Sequence, residues 1–324
     1  MWMGHLIRPT QNRYLSFLSS SSPAILSGVT EFLQQIINGL GLGAIYALIA
    51  LGYTMVYGVL RFINFAHSDV FMVGAFSGYF FSRFFQTESI LGGVLVIVLS
   101  MIVCALLGMT IERLAYRPLR KSSKLNVLIT AIGVSLLLEY SFQVKLTKPL
   151  LFPALFPVKS FTLPGGIILS STQILVLGMT FVLIILLQYI VLHTKMGTAM
   201  RAVSFNPTAA SLVGINNDII ISFTFALGSA LAAAGGILYA LNYPSIEPLM
   251  GVLPGLKAFV AAVLGGIGNI PGAALGGLLL GVIETFVNGS PYSTYTDAIA
   301  FTLLILILIF RPAGLLGKVT VEKV

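Results

Sequence analysis

Ile90-Leu-Gly-Gly-Val-Leu-Val-Ile-Val-Leu-Ser-Met-Ile-Val-Cys-Ala-Leu-Leu-Gly-Met-Thr-Ile111 holds no charged side chain. As a helix rising 1.5 Å per residue, it is long enough to cross the ~30 Å hydrocarbon layer of a bilayer. Outward from it, apolar runs near 30–60, 63–85, 126–144, 172–193, 219–242, 254–269, 271–288 and 295–311 repeat the pattern. The expected fold is all-α: a polytopic integral membrane protein with roughly eight to ten transmembrane helices, about nine by these runs.

Composition points the same way. Only 9% of the 324 residues are Asp, Glu, Lys or Arg, against roughly 25% in a soluble domain. Hydrophobic residues make up 57% and the mean hydropathy is +1.00. One soluble globule cannot hide that much apolar side chain, which excludes a soluble enzyme, an extracellular scaffold and a disordered chain. The net charge of +8 is read as topology rather than nucleic-acid binding, because Lys and Arg concentrate on the cytoplasmic side of membrane proteins. The single cysteine, Cys104, sits in an apolar run and supports no disulfide framework.

Residues 1–29 carry Arg8, Arg13 and a serine run from Ser19 to Ser22. The serines separate the bases from the first strong apolar run, unlike a signal peptide, so a mobile tail is expected there. One membrane domain is expected over 30–317, followed by a short cytoplasmic tail over 318–324. In the first run, Gly39, Gly41, Gly43 and Gly52 leave open one tilted helix or two short ones. The run at 254–269 is short enough to be re-entrant if neighbours cover its ends. Arg113, Arg117, Arg120, Lys121 and Lys124 crowd one loop. Placing that loop inside makes the C-terminus cytoplasmic. The segment Leu146–Ser171, with Pro149, Pro153, Pro157 and Pro164, then falls outside and is expected to be irregular.

One loop, 194–218, has a sharper pattern. Asn206 suits a helix N-cap, Pro207 its first turn, and Gly214 the left-handed position that ends it. The enclosed helix is two turns long and nearly uncharged, and such a helix forms poorly alone. It is either an interfacial helix lying on lipid or a docking helix for a partner protein.

The spacing Ala209-Ala210-x-x-x-Gly214 resembles the cytoplasmic coupling loop of bacterial ABC importer permeases, with Thr208 where a Glu usually stands. Longer stretches are more specific. Ala44-Ile-Tyr-Ala-Leu-Ile-Ala-Leu-Gly-Tyr-Thr-Met-Val-Tyr-Gly58, Ile63-Asn-Phe-Ala-His-Ser-Asp69, Ile111-Glu-Arg-Leu-Ala-Tyr-Arg-Pro-Leu-Arg120 and Lys257-Ala-Phe-Val-Ala-Ala-Val-Leu-Gly-Gly-Ile-Gly-Asn-Ile-Pro-Gly272 are similar to branched-chain amino acid ABC permeases of the LivH type. The likeness runs from about residue 30 to the C-terminus and leaves out the serine-rich tail and the proline-rich loop.

The resemblance implies an ABC importer permease fold in the bacterial inner (plasma) membrane. It implies passage of branched-chain or other neutral amino acids. The expected partners are a second homologous permease, two cytoplasmic ABC ATPase subunits and an extracytoplasmic substrate-binding protein. Arg201, Asn206, Pro207, Thr208, Ala209, Ala210 and Gly214 then form the ATPase-coupling loop. No cofactor is expected on this chain: ATP and Mg belong to the partner ATPases, and the only Gly-Lys, Gly317-Lys318, is followed by Val319 rather than Ser or Thr. His5, His67 and His193 lie far apart without metal-ligand spacing, and no nucleophile elbow is present, so neither a metal site nor catalysis is expected. Similar sequences also serve urea or short amides. An ion-driven secondary transporter is the alternative of another class, set against the low charge within the spans.

Tyr46, Tyr53 and Tyr57 share a helical face by spacing, which serves helix packing, an interfacial belt or a pore lining. Asn64, His67 and Asp69 begin the second span, and Asn64 or Asp69 either caps that helix or touches a gate or substrate. Glu139 lies inside the fourth span, where a bare charge is costly; it balances Lys145 or faces the path. The glycines from Gly265 to Gly281 read as close helix packing rather than a phosphate cradle. Lys257 and Glu284 flank a tight Gly268-Asn-Ile-Pro-Gly272 turn, each roughly 20 Å from it along its helix. They form an ion pair at one depth, or each snorkels separately to the outer boundary.

Overall fold

The computed structural model describes residues 11–85, 88–120, 122–163 and 166–317. Eleven α-helices and four very short strands follow one another among them. Helix α1 covers Gln11–Leu60, α2 His67–Phe81, α3 Ile90–Ile111, α4 Lys124–Gln143 and α5 Ser171–His193. Two short helices, α6 Lys195–Phe205 and α7 Pro207–Leu212, precede α8 Asn217–Asn242, α9 Val252–Gly265, α10 Ile270–Asn288 and α11 Thr296–Phe310. The expected tails fall on residues 1–10 and 318–324, which lie outside the described residues, and on the start of α1.

Seven helical stretches among the described residues are long and apolar enough to cross a membrane: Gly28–Leu60, Ile90–Leu119, Lys124–Gln143, Ser171–His193, Asn217–Asn242, Ile270–Asn288 and Ser293–Phe310. Two helices fall short. Helix α9 has 14 residues, as the short seventh run foreshadows. Helix α2 has 15 where the sequence predicts a span over 63–85. At 1.5 Å per residue, neither helix alone reaches across ~30 Å. The reason at α2 is the segment before it. Arg61 takes φ 54°, a left-handed conformation uncommon outside glycine, and so ends α1. Residues 61–66 are irregular before α2 starts at His67.

Burial sorts the helices into an inside and an outside. In the most apolar windows, 78% of α1 and 72% of α8 are buried, against 11% of α4. Helices α1, α2, α8, α9 and α10 supply the core, around fully buried Ile45, Leu48, Phe71, Ala232 and Ala261. Helices α3, α4, α5 and α11 turn Leu, Ile and Phe outward, which costs nothing against lipid. Cys104 is buried in this packing.

The glycines of the first apolar run do not break it: α1 is continuous. They let α10 approach. A Cβ on Gly43 would strike the backbone of Leu278 and Gly277, and one on Gly281 would strike the backbone of Gly43. Small residues on both faces bring the two backbones together, the usual way helices associate in lipid.

The proline-rich segment expected to be irregular contains ordered pieces. Strand β2 (Ser160–Thr162) pairs antiparallel with β3 (Ile168–Ser170), turning through Gly166 at φ 83°. Strand β1 (Leu150–Leu151) pairs with β4 (Ser245–Ile246), which follows α8. Gln34 of α1 fastens the hairpin: its Nε2 donates to Ile168 O and its Oε1 accepts from Ile168 N, both at 2.9 Å. Proline removes donors locally, and pairing with distant backbone and side chains restores order.

Candidate functional site

The end of the molecule opposite this hairpin carries the loop 194–218. Thr194 caps α6, accepting from Gly197 N at 3.1 Å. Met200 and Val203 bury against the bundle. Ser204 Oγ donates to Gly58 O near the end of α1, so α6 is tied to the core. Arg201 donates to Val191 O and, at 3.4 Å, to Thr198 Oγ1. With Arg61, Thr54, Gly58, Ser204 and Gly268, it lines a cavity of about 320 Å³ at this end.

Helix α7 is then held at both ends by its own residues. Asn206 Oδ1 accepts from Ala209 N at 3.0 Å, Pro207 fills the first turn, and Gly214 takes φ 86° beyond the last turn. This is the cap, start and stop that their residue types permit. Ala210 faces inward and is buried, whereas Thr208 and Ala209 are exposed. The outer surface is apolar: Phe205 is 88% exposed, Leu212 83% and Val213 77%. Three large apolar side chains held out at the two ends of this short, uncharged helix, Phe205 closing α6 before it and Leu212 and Val213 at its far end, form a surface suited to covering by another protein.

Behind α7 lies a charge cluster that the sequence reading used only for topology. Asp218, at the start of α8, accepts from Arg117 and from Arg120 Nη1, the latter at 2.5 Å. Arg120 Nη2 pairs with Glu112, which is fully buried, and Ser222 Oγ donates to the other Glu112 oxygen at 2.5 Å. Glu112 is the one acid in a basic loop. That isolation is the available signal, since a buried carboxylate needs a cation beside it.

The other sequence candidates sit in the core. Tyr46 and Tyr53 are buried and Tyr57 half-buried. The Tyr53 ring packs edge-on against His67 at 4.7 Å and Phe259 at 6.1 Å. His67 occupies the space that Gly52 leaves, since a Cβ there would fall on the imidazole. Neither Asn64 nor Asp69 caps α2: its N-cap is Ala66, with no side-chain bond. Asn64 Oδ1 instead accepts from Tyr116 Oη at 2.5 Å, and Asp69 from Ser135 Oγ at 2.5 Å. Glu139 is half-buried on α4 and interacts with Asp69. No ion pair among the described residues joins it to Lys145. The tyrosine–histidine layer is thus packed through the middle of this chain.

Toward the hairpin end, Lys257 Nζ lies 2.6 Å from Glu284 Oε1 and 2.7 Å from Asp297 Oδ1. Lys257 and Glu284 are both buried, while the Asp297 side chain is half-exposed. The separate snorkelling alternative does not describe this arrangement. Asp297 is the partner that sequence reasoning missed, on a third helix whose only acid in the first turn it is. A second cavity, of about 390 Å³, opens at this end among Asn38, Gln173, Asn242, Tyr243, Thr285 and Asn288. Among the described residues, no group of His, Cys, Asp and Glu is arranged to hold a metal ion.

Most of the chain is similar to known proteins. The high-affinity branched-chain amino acid transport system permease protein BraD of Pseudomonas aeruginosa is 43% identical over 304 residues, 91% of this chain and 99% of that one. The permease protein LivH of the corresponding high-affinity system in Escherichia coli K12 is 40% identical over 301 residues, 90% of this chain and 98% of that one. A probable branched-chain amino acid transport permease protein LivH of Methanocaldococcus jannaschii is 29% identical, over 83% of this chain and 88% of its own. The profile of the branched-chain amino acid transport system permease component matches residues 35–308. A multi-pass helical bundle with this match belongs to the branched-chain amino acid transport system permease family.

Proposed function

We propose that this chain is the membrane-spanning permease subunit of an ATP-driven importer and that it carries branched-chain amino acids inward across the plasma membrane. The observation that carries the reading is α7 with its flanks, where Phe205 at the end of α6 and Leu212 and Val213 at the far end of α7 are presented to whatever docks there. The names of its relatives supply the substrate class. In this reading, the end bearing α6 and α7 is cytoplasmic and so is the C-terminus, in line with the bases gathered there. Two ATPase subunits dock on that end and hold ATP and Mg. A second permease stands beside this chain, and an extracytoplasmic binding protein delivers substrate to the hairpin end. The hollow at each end and the packed tyrosine–histidine layer between them favour a passage completed by the second permease over one bored through this chain.

Work follows from unequal binding. ATP-loaded partners shift the permease only if they contact its inward- and outward-open states differently, and α7 is where that difference is felt. The test is uptake of labelled leucine into proteoliposomes holding the assembled complex, with binding protein outside and ATP inside. ATP-dependent accumulation supports the reading. Uptake by this chain alone, driven by an ion gradient, overturns it in favour of a secondary transporter. Uptake of urea in preference to leucine moves the substrate to the short amides.

A further inference from the structure

We propose that Asn217, Asp218, Arg120, Glu112, Tyr116 and Asn64 form a mechanical relay that carries displacement of α7 into the break between α1 and α2. This inference rests on the reading of α7 as the ATPase contact.

The relay begins beside α7. Asn217 Nδ2 donates to Pro207 O at 2.9 Å, joining the first residue of α7 to the first residue of α8. The next residue, Asp218, takes Arg120 Nη1 at 2.5 Å and also Arg117. Arg120 reaches Glu112 with its other terminal nitrogen, and Glu112 is gripped from its second oxygen by Ser222, one turn along α8 from Asp218. A guanidinium fork shared by two carboxylates fixes direction as well as distance. The start of α8 and the end of α3 therefore move as one body.

Glu112 is also the first residue of a π-helical turn, Glu112–Tyr116, that ends α3. Such turns insert one extra residue and are frequent at functional sites. Here the turn buries Tyr116, with its ring 5.3 Å from Phe62 and 5.4 Å from Phe225. Its hydroxyl donates to Asn64 Oδ1 at 2.5 Å, with both residues buried. Asn64 lies in the irregular 61–66 segment, where α1 has ended at left-handed Arg61 and α2 has not begun. That backbone lacks a helical ladder, so it is the part of the core that can take a second arrangement. His67 and Asp69, at the start of α2, follow directly. The links are side-chain hydrogen bonds and ion pairs, joined within α8 by the adjacent residues Asn217 and Asp218 and within the π turn by its backbone from Glu112 to Tyr116, a contiguous network of the kind through which coupling between distant sites travels.

The experiment measures leucine taken up and ATP hydrolysed in the same proteoliposomes, so that the readout is their ratio. Tyr116→Phe deletes one hydroxyl, and Arg120→Gln removes the fork. In each, ATP hydrolysis stays within about twofold of wild type while leucine per ATP falls at least fivefold. Arg113→Gln, which removes an exposed charge from the same π turn, leaves the ratio unchanged. The double variant Tyr116→Phe with Asn64→Leu replaces both polar partners by apolar ones and so recovers thermal stability, yet keeps the low ratio. A ratio that recovers together with stability, or single variants with a wild-type ratio, overturns the relay. If Arg120→Gln fails to assemble, Tyr116→Phe decides alone. Failure of the functional reading looks different: the wild-type complex itself shows no ATP-driven uptake.

Discussion

Lys257 and Glu284 stand on antiparallel neighbours, α9 and α10, with Nζ and Oε1 meeting at 2.6 Å in a buried position. Asp297, on α11, holds the same ammonium at 2.7 Å. One lysine therefore joins three helices. Removing the lysine leaves Glu284 buried without its cation, whereas removing Glu284 leaves Lys257 still paired with Asp297. Lys257→Ala is expected to cost about 3–5 kcal/mol, the range for breaking a buried pair, and Glu284→Ala clearly less. Lys257→Met with Glu284→Gln recovers much of the lysine's loss. Thermal unfolding in detergent measures all three, and equal additive losses would separate the residues energetically.

Gly214 sits at φ 86° just beyond α7, where a β-branched residue is strained by about 1–3 kcal/mol. No neighbour lies within 4 Å of an added Cβ, so the effect is conformational rather than steric. Gly214→Val is expected to insert normally and to lose co-purification with the ATPase partner. Full recovery of both partner and transport would mean that α7 only lies on lipid.

Gly281→Val should separate α10 from α1, because its Cβ falls on the backbone of Gly43 and Gly39. Backbone cannot step aside as a side chain does, so the loss is expected to exceed the ~1–3 kcal/mol usual for overpacking. Gly133→Val is the control, since nothing lies within 4 Å of that position. A drop in melting temperature confined to Gly281→Val checks the contact.

Gln34→Leu removes two hydrogen bonds to Ile168. At roughly 0.5–1.5 kcal/mol each, the loss is about 1–3 kcal/mol at most, and it falls on the β2–β3 hairpin, which loses its clasp on α1. Limited proteolysis is expected to cut faster within residues 160–170, with the rest of the chain unaffected.

Local and periodic features are legible in the sequence. Asn206, Pro207 and Gly214 announce a capped short helix because each acts on its own backbone. Lys257 and Glu284 could be paired by counting along two helices joined by one turn. The triad's third member, Asp297, could not, because nothing local fixes how α11 leans. The same holds for Glu112 and Ser222, which lie 110 residues apart in sequence yet share a hydrogen bond. The shortness of α2 escaped hydropathy, since Ile63, Phe65, Ala66, Phe84 and Phe85 extend the apolar run on either side of it, while the backbone at Arg61 has already ended α1 and leaves 61–66 irregular. The tyrosine spacing on α1 was readable, but whether that face meets a partner helix or a passage depends on α2 and α9.

Where α1 meets α10, Gly43 lies against Gly277 and Gly281 with backbone against backbone. Most helix contacts interlock like gear teeth, so that one helix moves past another only by changing rotamers. At the Gly43 crossing the teeth are missing, and they return toward the hairpin end, where the Phe32 and Phe286 rings meet at 5.3 Å. The crossing is a smooth fulcrum: a small tilt of α10 on α1 there changes no rotamer, while the Lys257 triad ties the far part of α10 to α9 and α11 like a pivot pin.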